Sequence, residues 1–160
     1  MSGANEVPAT GSTGSGFVFI TLSGNTLSIS LVYSGLTAPT SAGHIHCCAL
    51  PGSNAPVALP FSNLPSGTSG NYTNTFDLLN AASYTSAFVT ASGGTAAGAE
   101  AALLAGMNSN TTYANLHDSI FPGGEIRGQI FPVPEPSSLL LGLMAAAGFV
   151  GIRSSRKARV

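Results

Sequence analysis

The feature that most constrains the fold of this chain is a strict alternation of apolar and polar residues within one short segment. Apolar side chains occupy every second position, at Leu27, Ile29, Leu31 and Tyr33. A period of two is typical of a β-strand with one buried face. The β-branched and aromatic run 17–22 precedes this segment, and Ser-Gly-Asn at 23–25 separates the two. We therefore predict an antiparallel hairpin.

Further short segments of this kind follow, and turn residues bound most of them. They are 41–48, 57–61 (flanked by proline, hence a predicted edge strand), 72–78, 111–117 and 125–131. Ala96–Met107 differs, because it is rich in alanine and leucine and follows Thr95, a good helix N-cap. The sequence predicts an all-β fold, an antiparallel β-sandwich (Ig-like or superoxide-dismutase-like) with one short helical insertion.

Charge is scarce and unevenly placed. Asp, Glu, Lys and Arg make up 7% of the chain, against roughly 25% in average soluble domains. Hydrophobic residues make up 44%, enough to build a core and to argue against disorder. Four of the five basic residues lie in the last eight positions. A nucleic-acid-binding domain would carry them across a folded face, so we predict no nucleic-acid partner.

The tail, 132–160, has a different composition from residues 2–131, and we predict that it is a separate unit. An uninterrupted apolar run of 14 residues includes Leu139, Leu140, Leu141, Leu143, Phe149 and Ile152. As a helix it is about 21 Å long, and about 26 Å if counted from Pro136, close to the lower limit for spanning a membrane. A basic cap follows: Arg153, Arg156, Lys157 and Arg159. We predict a C-terminal hydrophobic helix in a membrane with a cytoplasmic basic end; the alternative is a buried helix of the domain.

The first residues do not look like a secretion signal. Met1 is followed directly by SGANEVP, without a basic or an apolar region. Either the chain stays inside the cell, or the recorded start lies downstream of the true one. The tail favours the second interpretation.

The order of the tail elements resembles a PEP-CTERM sorting signal. Pro134, Glu135 and Pro136 match its motif, and the apolar run and the arginine-rich end follow in the expected order. The resemblance implies a protein exported by the general secretion route of a Gram-negative bacterium. It also implies an exosortase-type enzyme that processes the tail. The expected location is the cell envelope, cell surface or extracellular matrix, with at least transient membrane anchoring.

Residues 2–131 carry four ordered motifs that together resemble the CHRD (chordin-like) domain. They are Gly3-Ala-Asn-Glu6-Val-Pro8, Ala42-Gly-His44-Ile-His46, Tyr113-Ala-Asn115-Leu-His117 and Pro122-Gly-Gly-Glu125-Ile-Arg127-Gly-Gln129. In animals the family's namesake uses such domains within a secreted growth-factor antagonist. The resemblance implies an exported, surface- or matrix-associated module. We interpret it as a non-enzymatic binding or structural module whose partner is an extracellular protein or polysaccharide.

The three histidines of the chain all lie within these motifs. His44 and His46 are two residues apart, so a strand projects both to one face and Ile45 to the other. With His117 from another strand, they would form the beginning of a Zn or Cu site. The His-x-His pair also resembles the copper site of copper–zinc superoxide dismutase, although the rest of that ligand set is not evident. The alternative is structural histidines that bond loop carbonyls, with His117 fixing the loop before Pro122.

Glu125 and Arg127 are two residues apart, and we predict that they share a strand face. Arg127 is the only basic residue before the tail, and we interpret it as a structural ion-pair or carbonyl-clamping residue. The resemblance places Glu6 and Arg127 in motifs at the two ends of the domain, which implies Glu6 as its cross-strand partner. The alternative is a clamp for an anionic ligand. We expect Asn115 to satisfy backbone groups.

Cys47 and Cys48 are adjacent, and a disulfide between neighbours is geometrically strained. We therefore predict two small, partly buried thiols, with intermolecular pairing and metal ligation as alternatives. The sequence contains no nucleophile elbow, phosphate loop or pair of catalytic carboxylates, so we predict no enzymatic activity. The interpretation as a binding or structural module needs no cofactor, whereas the alternative of a metal site requires Cu or Zn.

Overall fold

A computed structural model describes residues 1–133, and the predictions for the tail from Pro134 onward lie outside the described residues. The strands are β1 (Ser15–Ser23), β2 (Thr26–Ser34), β3 (Thr40–Cys47), β4 (Val57–Pro60), β5 (Gly70–Asp77), β6 (Thr112–Asp118) and β7 (Ile126–Gln129). Two α-helices, α1 (Ser86–Ala91) and α2 (Ala96–Asn108), lie between β5 and β6, and short 3-10 helices span Gly3–Asn5 and Ala81–Ser83. Within residues 1–133, no helix is long and apolar enough to cross a membrane.

The strands form two antiparallel sheets, which confirms the predicted β-sandwich. The first sheet has the order β1-β2-β5 and the second the order β4-β3-β6-β7. β1 and β2 pair along their whole length around a two-residue turn, and Gly24 in that turn has a φ of +56°. Since a positive φ favours glycine, this residue fits the hairpin predicted from the sequence. β4 is an edge strand, also as predicted.

The core lies between the two sheets. Leu27, Ile29 and Leu31 of β2 are almost completely buried there, which is the face that their alternation predicts. The second sheet contributes Ile45 of β3, Leu116 of β6 and Ile126 of β7. Because Ile45 points into the core, its neighbours His44 and His46 must point to the outer face of this sheet.

The two helices close one side of the core. α2 begins at Thr95, whose side chain accepts a hydrogen bond from the Gly98 N–H, and it buries Leu103 and Met107 as predicted. Sequence reasoning missed α1, which buries Phe88. It is six residues long, which is too short for a 3.6-residue period to become visible.

The prediction that Cys47 and Cys48 are free thiols is wrong, because the two sulfur atoms form a disulfide. Both Sγ atoms lie near the Ala102 carbonyl oxygen of α2, at 3.9 and 3.7 Å. Gly106 leaves the necessary room, since a Cβ there would lie 2.6 Å from Cys47 Sγ. Both sulfur atoms therefore lie against α2.

Candidate functional site

The outer face of the second sheet carries a layer of polar residues in place of the usual solvent-exposed side chains. It consists of His44, His46, Tyr113, Asn115, His117 and Arg127, here called the outer polar layer. The sheet register places His44 opposite Asn115, and His46 opposite Tyr113. The N-terminal segment pairs with β7 through Ser2 and Arg127, and its Glu6 side chain contacts Arg127 and Asn115 on this face. Much of the layer is buried as a result.

The three histidines come together at one end of this layer. His44 Nδ1 lies 3.2 Å from His117 Nε2. One ring nitrogen from each of His44, His46 and His117 lies within 4.8 Å of the other two. His44 and His117 are partly buried and His46 is buried, so the cluster meets solvent on the His44 and His117 side. The structure therefore unites the residues that the sequence singled out as candidate metal ligands.

Backbone carbonyls orient two of the three imidazole rings. The Ala55 carbonyl oxygen lies 2.8 Å from His46 Nδ1, and the Pro122 carbonyl oxygen lies 3.0 Å from His117 Nδ1. A carbonyl can only accept, so Nδ1 carries the proton in both rings and Nε2 keeps its lone pair. These contacts are the loop-carbonyl bonds expected of structural histidines, and His117 does hold the loop at Pro122. They also leave both Nε2 atoms as acceptors.

The Nε2 atom of His46 makes no hydrogen bond that would stabilise the fold. It is buried and has no hydrogen-bond partner among the described residues. Buried polar side-chain atoms are paired in most native structures, so such an atom calls for an explanation. A lone pair that is held in place and unsatisfied is what a metal ligand presents before the ion binds.

The electrostatics of the cluster favour neutral imidazoles. Burial lowers the pKa of His44 to about 4, and the neighbouring His117 and His46 add to the effect. Burial also lowers the pKa of His46 and that of His117, although the Ala55 and Pro122 carbonyls act in the opposite direction. All three rings are therefore neutral near neutral pH, which is the form that coordinates metal ions.

An aromatic ring joins the cluster to a buried ion pair. The His46 ring stacks on the Tyr113 ring at 4.7 Å, and the Arg127 guanidinium carbon lies 3.9 Å from the centre of the same phenol ring. Arg127 Nε donates to Glu6 Oε2 at 3.2 Å, and Asn115 Nδ2 donates to Glu6 Oε1 at 2.6 Å. Arg127 also donates to the Ser53 and Asn54 oxygens.

This arrangement confirms Glu6 as the partner of Arg127. It leaves the guanidinium occupied by protein groups, which does not support the alternative of a clamp for an anionic ligand. Burial raises the pKa of Glu6, although Arg127 and Asn115 both favour its charged form. The prediction for Asn115 is corrected, because its amide donates to a carboxylate and not to the backbone.

Glu125 does not share a face with Arg127, contrary to the prediction. It precedes β7, whose first residue is Ile126, so strand alternation does not extend to it. Its carboxylate is fully buried, and Oε1 accepts from Ser12 Oγ at 2.6 Å and from the Thr37 N–H at 2.7 Å. Glu125 therefore ties two loops to the start of β7.

Sequence reasoning assigned no role to Tyr113 or to the loop at 53–55, although both contact the site. Tyr113 lies in a motif, and its spacing of two from Asn115 was a usable signal for a shared face. The loop offers only backbone groups and Asn54, so the sequence contained no signal for it.

The tail matches a known protein-sorting motif. The model of the PEP-CTERM protein-sorting motif matches residues 132–157, which confirms the resemblance of the tail. This motif indicates export, processing by an exosortase and at least transient membrane anchoring at the cell envelope or surface. No curated protein matches the chain. No solved structure matches it either.

The folded part is identified by a second family model. The model of the CHRD domain matches residues 1–130, which include all four ordered motifs. In the structure, each motif supplies a residue of the outer polar layer or a residue that contacts the layer. These are Glu6, the His44–His46 pair, the Tyr113–His117 segment and Arg127. The chain therefore belongs to the CHRD domain family, as an exosortase-sorted member with a PEP-CTERM motif at its C-terminal end.

Proposed function

We propose that the CHRD domain of this exported protein is a non-enzymatic module that binds a transition-metal ion, Zn²⁺ or Cu²⁺, through His44, His46 and His117. The observation that carries the proposal is the geometry of the cluster, in which three imidazole nitrogens lie within 4.8 Å of one another. Imidazole is a common ligand for both ions.

The spacing of one nitrogen pair matches the edge of a tetrahedral site. Zn–N bonds of about 2.0–2.1 Å place the nitrogens of such a site about 3.3 Å apart. The His44 Nδ1 to His117 Nε2 distance is 3.2 Å, so these two atoms already span one edge of the tetrahedron. A ring nitrogen of His46 lies within 4.8 Å of both, so it would move closer by up to about 1.5 Å to complete a three-nitrogen site.

The surroundings of the rings support this function. In metal sites, a ligating histidine usually donates its other N–H to a carbonyl or carboxylate, which fixes the ring and its tautomer. His46 and His117 both have such a carbonyl, from Ala55 and Pro122. The unpaired Nε2 of His46 is, in addition, an acceptor atom beside the other two rings.

Three protein ligands leave a fourth coordination position. We infer that water or a donor atom of an extracellular protein or polysaccharide fills it, so that the ion takes part in binding a partner. Glu6, a carboxylate of the adjoining layer, is held by Arg127 and Asn115 and is not free to act as a general base on a metal-bound water. This arrangement supports a binding role over hydrolytic chemistry.

The test measures metal stoichiometry in the full chain, purified in detergent, loaded with Zn²⁺ or Cu²⁺ and dialysed. We expect close to one ion per chain in the wild type and a loss of most of it in His46→Ala and in His44→Ala. The Cys47→Ser/Cys48→Ser double variant is the matched control, because it removes the only sulfur pair and leaves all three histidines in place.

Two results would overturn the proposal. One is a wild-type chain that retains far less than one ion, and the other is a His46→Ala variant that retains as much as the wild type. Circular dichroism on each variant separates loss of a ligand from loss of the fold.

A further inference from the structure

β1 is an edge strand of the first sheet, and it exposes large apolar side chains. Phe17 is 69% exposed and Phe19 is 51% exposed. In the segment that follows β7, Phe131 is 61% exposed and Val133 is 77% exposed. These four residues and Leu22, which is also exposed, are here called the apolar edge.

A groove runs between the two sides of the apolar edge. Its volume is about 770 Å³, and its floor includes Ile20, Leu104, Met107 and Ile130. The residues that line it within the described part of the chain carry no charge. On a soluble protein, a contiguous apolar surface of this kind usually marks an interaction site.

The position of the groove relative to the tail indicates what it meets. Val133 lines the groove and is the last described residue. Five residues, 134–138, separate it from Leu139, where the apolar run begins. Six extended steps span at most about 22 Å. Val133 is therefore always within about 22 Å of the first residue of the segment that enters the membrane.

We propose that, while the tail holds the unprocessed chain in the membrane, the apolar edge lies against the bilayer surface with Phe17, Phe19 and Phe131 in the interfacial region. Phenyl rings without a charged neighbour gain free energy on leaving water. The short tether keeps lipid at a high effective concentration, so even a weak contact is populated.

Two other occupants are less well supported by the same observations. A second copy of the chain would have to reach the groove by diffusion, whereas the bilayer is tethered to it. The apolar run of the tail is within reach, but the sorting motif indicates that this run is used in the membrane. One segment cannot occupy both places at once.

The test uses tryptophan, because the chain has none. Phe19→Trp and Phe131→Trp are introduced separately into the full, unprocessed chain, which is then reconstituted into phosphatidylcholine vesicles with or without brominated acyl chains. We expect brominated lipid to remove most of the indole emission of both variants. The matched control is Leu50→Trp, since Leu50 is 72% exposed but does not line the groove; its emission should be the same in both lipids.

Each alternative gives a different result, and each overturns the proposal. Equal quenching at Phe19→Trp and Leu50→Trp, or none at Phe19→Trp, means that this face does not meet the bilayer. Emission that is insensitive to bromine but blue-shifts with protein concentration indicates a second copy in the groove. A blue shift in dilute detergent, lost when residues 134–160 are removed, indicates the tail itself.

Discussion

The outer polar layer and the apolar edge depart from the usual distribution of side chains in opposite ways. In the polar layer, Arg127 and Asn115 are almost completely buried on the outer side of a sheet, because the N-terminal segment covers them. At the apolar edge, Phe17 and Phe131 remain exposed because nothing among residues 1–133 covers that side. Buried polar groups need partners, and exposed apolar groups indicate a partner outside the domain. One surface is therefore completed by the chain itself, and the other is not.

The largest expected effect would come from breaking the ion pair of the polar layer. Arg127→Met leaves the Glu6 carboxylate buried without its cation, and removing one member of a buried pair typically costs about 3–5 kcal/mol. Denaturant unfolding in the same detergent measures the change. The double variant Glu6→Gln/Arg127→Met should recover part of the loss. A single-variant cost below about 1 kcal/mol would mean that the layer does not depend on this pair.

The free energies of unfolding of the same variants should also differ in their pH dependence. Burial raises the pKa of Glu6 in the folded protein, so the folded state binds more protons than the unfolded state between the two pKa values. Stability therefore rises as the pH falls through this range. The loss in Arg127→Met should shrink on acidification, and the double variant, which has no carboxylate at this position, should show no such recovery.

A smaller effect is expected where the backbone approaches the polar layer. Gly124 has a φ of +128°, and a Cβ there would lie 2.5 Å from Asn115 Nδ2 and 2.9 Å from Glu6 Oε1. Gly124→Ala should cost about 1–3 kcal/mol, since backbone strain and overpacking act together. Gly123→Ala is the matched control, because nothing lies within 4 Å of a Cβ at that position. Equal unfolding free energies for the two variants would contradict the close packing of the layer.

The smallest effect on stability is expected at the apolar edge. Phe17→Ser changes a side chain that is 69% exposed, so the free energy of unfolding in detergent should change by no more than about 0.5 kcal/mol. The matched substitution on the buried side of the neighbouring strand, Leu27→Ala, should cost about 2–5 kcal/mol. A large loss in Phe17→Ser would show that the edge is part of the core and would remove the contrast with the polar layer.

Much of the fold could be predicted, because alternation and turn residues are local signals. The β1–β2 hairpin, the edge strand β4 and the capped helix α2 all follow from short stretches of sequence. α1 could not be predicted, because its six residues contain too little of a helical period. The Cys47–Cys48 bond was also missed, because the strain of a disulfide between neighbours favoured the prediction of free thiols.

The residues of the site could be predicted where they lie close together in the sequence, but most contacts between distant segments could not. Strand parity alone places His44 and His46 on one face, and the sequence also suggested Glu6 as the partner of Arg127. Parity failed for Glu125, because the strand begins one residue later. The carbonyls of Ala55 and Pro122 had no signal at all, since every residue has a carbonyl.

The two-part organisation, the strand periodicity and the chemical types of the motif residues could all be derived from the sequence. Those properties depend on residues that are neighbours along the chain, and elementary backbone geometry is enough to interpret them. Only the tertiary structure decided that β3 pairs with β6, so that His117 meets His44, and that the N-terminal segment covers the layer beside them. Pairings between distant segments depend on the packing of the whole core, which no single stretch of sequence specifies.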